Sequence, residues 1–135
     1  MKANQAGKRL TGEHVVTEME IQSGTYHSDT IAAIPARQWD PSIRSSIVYI
    51  PYRSLVPRKV ENLLVAGRCL SSDQFANNVL SPIQCCVAMG QASGTAAAIA
   101  AKKGVGPRYV DYGTLRNSLL DQGVPLPGMP DAWKK

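Results

Sequence analysis

A chain of 135 residues, 44% hydrophobic and 19% charged, holds material for one domain with a modest core. Its formal charge of +5 comes from lysines and arginines spread over the two ends and the first half. No basic run is interleaved with aromatics, which argues against a nucleic-acid groove and for a solvated basic surface.

The opening MKANQAGKRL has no apolar segment of the kind a secretory signal needs, so Met1 to Gly7 reads as a loose leader and a cytoplasmic location is expected. His14-Val15-Val16-Thr17 suits a short strand, with Thr17 capping a brief turn whose positive end carries Glu18 and Glu20. Ser23-Gly24 is a turn signal, and Tyr26-His27-Ser28-Asp29-Thr30 is a compact polar cluster. In a strand, His27 and Asp29 would share a face and orient each other for proton transfer; in a loop they would make local turns instead. Ile31 to Arg44 is rich in Pro and Ala, has no clean period and reads as a connecting loop anchored by Trp39. Ser46 to Ile50 is the most strand-like run of this half. Pro51 and Pro57 then bracket a segment in which Arg53 serves either as a clamp for an anionic group or as a structural arginine holding loop carbonyls.

Leu63 to Ala66 is a short apolar run ended by Gly67, as expected for a strand of a parallel sheet covered on both faces. A long helix follows. Ser81 is a natural N-cap, Pro82 suits the first helical position, Gln84 completes a capping box, and Lys102, Lys103 and Gly104 mark the end. Such a helix has about 22 residues and spans roughly 33 Å. Gly90, Gly94 and Ala98 recur every fourth residue among many alanines, and Asp73 is the one charged residue from Cys69 to Ala101. A helix this bare is expected to be buried all round, because each interior glycine costs about 1 kcal/mol relative to Ala unless a close neighbour offsets it. Ile83 to Ala101 also has the length and the G-x-x-x-G of a membrane span, but Gln84, Gln91, Ser93 and Thr95 argue against one.

Downstream, Asp111 caps a short helix carrying Leu115, Leu119 and Leu120 and closed by Gly123, and VPLPGMPDAWKK should run extended over the surface. The cysteines are Cys69, Cys85 and Cys86. The adjacent pair would point about 100° apart on a helix, and the two histidines are remote in sequence, so no metal site is expected. The order strand, glycine turn, loop and helix is that of open α/β sheets, where a helix N-terminus meets a phosphate or the electron-rich edge of a flavin.

VENLLVAGRCLS followed by CVAMGQASGTAAAIAA resembles the carboxyl-terminal part of FAD-dependent oxidoreductases with the glutathione-reductase-type FAD fold, similar to fumarate reductase flavoproteins. IPYRSLVP, KRLTGEHVVT and SGTYHSDT match the same family in the same order, so the resemblance covers about residues 8 to 123. It implies an α/β fold: a partial, Rossmann-like FAD-binding domain joined to a piece of a β-rich substrate domain. Residues 1–57 would be the substrate-domain remnant and return strand, 58–123 the end of the FAD domain, and 124–135 an extended tail. FAD would be met by Gly67, Arg68 and Cys69 and by the helix start Ser81, Pro82, Ile83, Gln84 and Cys85. Tyr26, His27, Asp29 and Arg53 would face substrate, with His27 and Arg53 as the catalytic candidates.

The chain departs from the family pattern at Ser81 and Gln84, where the family carries an arginine and a proline. It also contains no G-x-G-x-x-G for the ADP half of FAD. Three readings follow from that. The chain is a segment or small subunit completed by a partner chain that carries the fingerprint, or by self-association. It is a truncated, non-catalytic product. Or it is a protein-binding module that packs through its Gly/Ala-rich helix.

Overall fold

Helix α1 (Glu18–Ser23) starts where Thr17 turns extended (φ −113°, ψ 160°) and its side chain accepts the Glu20 N–H. The Glu20 carboxylate accepts the Thr17 N–H in return at 2.8 Å, completing a capping box. Gly24 ends the helix at φ 63°, its N–H reaching back to the carbonyls of Glu20 and Ile21. The computed structural model describes residues 9–38 and 40–127. The expected leader, the Trp39 anchor and most of the expected tail lie outside the described residues.

Strands β1 (Thr30–Ile34) and β2 (Val48–Pro51) pair antiparallel, with Ala32 opposite Ile50, Ala33 opposite Tyr49 and Ile34 opposite Val48. β2 falls near the expected SIVYI run. β1 runs from the last residue of the expected polar cluster into the expected connecting loop, Ile31 to Arg44. TIAAI shows no polar alternation because nearly all of it is buried, and a run of that length carries no period to read.

Two further strands expected from the sequence do not form among the described residues. His14 to Thr17 makes one isolated parallel bridge, Val16 with Ser72, through Val16 N–H to Ser71 O (3.0 Å) and Asp73 N–H to Val16 O (2.8 Å). Leu63 to Ala66 is an extended segment tied by Val65 N–H to Leu55 O at 3.0 Å, and Leu63 remains 44% exposed. A buried parallel strand needs a neighbour on each side; the two strands present here pair with each other.

Helix α2 (Gln74–Val79) is capped by Asp73 and leads into α3 (Ile83–Lys103), 21 residues long. α3 closes as expected on Gly104 (φ 65°), with Lys102 and Lys103 in its last turn. Its start differs from expectation. The cap position is Pro82, and the Ser81 hydroxyl donates to the Asn77 carbonyl at the end of α2, so the Ser81/Gln84 capping box is not made.

Nor is α3 buried all round. Cys85, Met89, Ala92, Ser93, Ala96 and Ala100 face the core, while Ile83, Val87, Gly90, Gly94, Ala97 and Ala101 form an exposed stripe. α3 is long and apolar enough to cross a membrane by length and composition, but its inner face packs on β1 and on α4 (Tyr112–Asp121).

α4 bears out its expectation. Asp111 accepts the Thr114 N–H, Leu115 and Leu119 are buried, and Gly123 adopts φ 83° just beyond the end. Leu126 is 2% exposed and joins the core, which corrects the expected surface course for that part of the tail. One core cluster runs from Val16 to Leu126 and draws on residues from both sides of Pro57. At the coarse level the fold is mixed helix and strand.

Candidate functional site

The capping box that starts α1 also builds a polar cluster. Glu20 Oε2 accepts the Thr17 N–H at 2.8 Å and the Thr17 hydroxyl at 3.1 Å. Oε1 is thereby turned toward two imidazoles, His14 Nε2 at 2.9 Å and His27 Nε2 at 3.9 Å. The rings meet edge to face with centroids 5.0 Å apart. His27 is 7% exposed, and its carbonyl is held by the Thr30 hydroxyl (2.7 Å) and N–H (3.1 Å). Burial holds the His27 imidazole below its usual pKa, opposed in part by the Glu20 charge.

Asp29 sits beside this cluster but belongs to a different pair. Arg53 Nε donates to Asp29 Oδ2 at 3.0 Å, Nη2 to Oδ1 at 3.3 Å, and the Arg53 backbone N–H to Oδ2 at 2.9 Å. The expected His27–Asp29 pairing is therefore absent. The carboxylate is taken by the guanidinium, and the imidazole turns to Glu20. The Arg53 guanidinium holds Asp29 while its side chain stays 50% exposed. The bond to Asp29 raises its pKa further. His14 and Glu20 were not among the candidates. The T-x-x-E box was the visible signal that Glu20 would be held in place.

At the start of α3, the 3-10 turn Gly67–Cys69 packs on the first helical turns. The constraint at Gly67 is its φ of 76° and not space, since a Cβ there would make only ordinary contact with Cys86 Sγ at 3.6 Å. Asn77 Nδ2 donates to the Arg68 carbonyl at 2.9 Å and Ser93 Oγ to Val65 O at 2.7 Å, which lashes the extended run to the helix. Gly67, Arg68, Cys69, Ser81, Pro82, Ile83 and Gln84 thus gather at one end of α3. Cys85 lies in the same turn, but its side chain is fully buried and its N–H bonds to Pro82 O at 3.0 Å. Desolvation pushes its thiol up to about 11. Tyr26, next to His27 in the chain, is 53% exposed and stands edge-on to Tyr49.

A family model described as FAD dependent oxidoreductase matches residues 6–119. The chain belongs to the FAD-dependent oxidoreductases. No curated protein and no solved structure matches it.

The cofactor of this oxidoreductase family is FAD. The residues at the start of α3 fit such a group. The N-terminus has no side-chain cap and no acidic residue in its first turn, and Ile83 and Gln84 are exposed. Its positive dipole end and free N–H groups are open to an electron-rich partner. The Ser81 hydroxyl, committed to Asn77, does not compete for them.

Proposed function

We propose that this oxidoreductase chain is the carboxyl-terminal segment of a flavoenzyme with a glutathione-reductase-type FAD domain, similar to fumarate reductase flavoproteins. Another polypeptide carrying the G-x-G-x-x-G turn completes it. Residues 1–57 are then the substrate-domain remnant and 58–123 the end of the FAD domain. The observation that carries this reading is the bare face of α3. A Cβ added at Gly90 or Gly94 would meet nothing within 4 Å, and Ile83 and Val87 are 77% and 63% exposed. A helix that accepts two interior glycines, at about 1 kcal/mol each, without using the room they leave is shaped for a backbone not supplied by its own packing.

In that assembly FAD supplies the hydride-accepting ring. This chain supplies the surroundings. The Ile83 and Gln84 N–H groups and the helix dipole would hold the flavin and favour negative charge on it. The Gly67–Cys69 turn, held to α2 by Asn77, would offer backbone to the cofactor. The exposed flank of Arg53, oriented by Asp29, is the better-placed of the two catalytic candidates to meet an anionic substrate. His27, buried behind it, keeps an indirect role.

The test is co-expression with the polypeptide encoded next to this chain's reading frame, provided that polypeptide carries the fingerprint. A yellow complex containing both chains and bound FAD is expected, with the chain alone colourless. A colourless, monomeric chain that ignores the fingerprint polypeptide overturns the proposal. A flavin-free complex through the α3 stripe would favour the protein-binding module.

A further inference from the structure

Beyond the flavin reading, and independent of it, the geometry points to a binding site for a divalent first-row transition metal ion, zinc foremost, formed by His14, Glu20 and His27. Their donor atoms all lie within 4.8 Å of one another, with Glu20 Oε1 at 2.9 Å from His14 Nε2 and 3.9 Å from His27 Nε2. Ligands about 2.1 Å from a tetrahedral zinc are about 3.4 Å apart. Side-chain adjustments of less than about 1 Å close the present triangle around an ion.

The second, separate observation is an orphan. His27 Nε2 is fully buried and has no hydrogen-bond partner among the described residues. A buried polar atom without a partner is normally destabilising, because its lost hydration is not replaced. The hydrogen bond between His14 and Glu20 leaves it unanswered, since both residues could make that bond with His27 absent. A cation at the centre of the triangle satisfies all three donors at once.

The chemistry of the donors agrees. Two imidazoles and one carboxylate suit zinc and its neighbours in the first row, and three protein ligands leave a fourth position for water. Burial disfavours the charged form of the His27 ring, and the neutral imidazole is the form that binds a metal. The adjacent carboxylate Asp29 is already paired with Arg53. The Glu20 ligand is held in advance, through its other oxygen, by the Thr17 cap. The backbones that carry the two rings are tied as well, the His27 carbonyl by Thr30 Oγ1 and the His14 backbone N–H by Arg53 O at 3.2 Å. An ion here would clip the segment before α1 to the turn after it.

The test uses the full chain with whatever polypeptide co-purifies, stripped with a chelator and titrated with Co2+ alone. One equivalent per chain should bind, with visible d–d absorption of a four- or five-coordinate nitrogen–oxygen site, and Zn2+ should displace it. His14→Gln, at a partly exposed position, and Glu20→Gln, which keeps an acceptor for the Thr17 cap, should each weaken binding at least tenfold. Circular dichroism confirms that each variant is helical. The proposal is overturned by no uptake in a helical chain, by uptake unchanged in both variants, or by a thiolate-to-cobalt band showing that the cysteines hold the ion.

Discussion

Arg53 holds Asp29 with three donors, two from its guanidinium and one from its own backbone N–H, across 24 positions of sequence. The carboxylate is largely covered while the arginine is half in water. Loss of the two partners is therefore unequal. Asp29→Ala strands a backbone N–H and should cost about 2 kcal/mol, whereas Arg53→Ala should cost about 1 kcal/mol. Urea denaturation of both variants measures this; equal losses would show that the pair acts only as a surface ion pair.

Gly67 and the two glycines inside α3 are there for different reasons. Gly67 sits at φ 76°, so Gly67→Ala should destabilise by about 1–2 kcal/mol through backbone strain alone. Gly90 and Gly94 have ordinary helical backbone and open space. Alanine at each should stabilise the isolated chain by up to about 1 kcal/mol, while the double variant should lose the partner polypeptide proposed above. Thermal melts and co-purification read the two effects separately.

Cys85 sets a pH limit. Its thiol is raised from 9.0 to about 11 because burial disfavours the thiolate. The stabilisation that goes with the neutral buried thiol is complete below pH 9 and is lost as pH rises toward 11, at most about 2–3 kcal/mol. Cys85→Ala should flatten the alkaline limb of the stability profile. In the native chain, iodoacetamide at pH 8 should label exposed Cys69 and spare Cys85.

Two hydroxyls that look alike in sequence should behave differently. Thr17 caps α1 reciprocally with Glu20, so Thr17→Ala should cost about 1 kcal/mol. Ser81→Ala removes a bond to the Asn77 carbonyl and no cap from α3, so the helical signal of α3 should survive it. Denaturation curves and circular dichroism of the two variants decide this.

What was legible in the sequence was local. The span and end of α3, the Asp111 cap of α4 and the Thr17 turn each depend on residues within one helical turn of each other, and capping and periodicity act at that range. The family could be read for a similar reason, since its motifs are contiguous runs. β1 was not legible, because a strand buried on nearly all sides loses the alternation that marks it.

Tertiary structure alone decided the rest. Whether the Ser81 hydroxyl caps α3 depended on an Asn77 carbonyl arriving nearer. Whether His27 met Asp29 depended on Arg53 claiming that carboxylate first. The gathering of His14, Glu20 and His27 required the turn of α1 and the following loop to fold back on the segment before them. Each of these is a contest between partners for one polar group, settled by distances that exist only once the chain has packed.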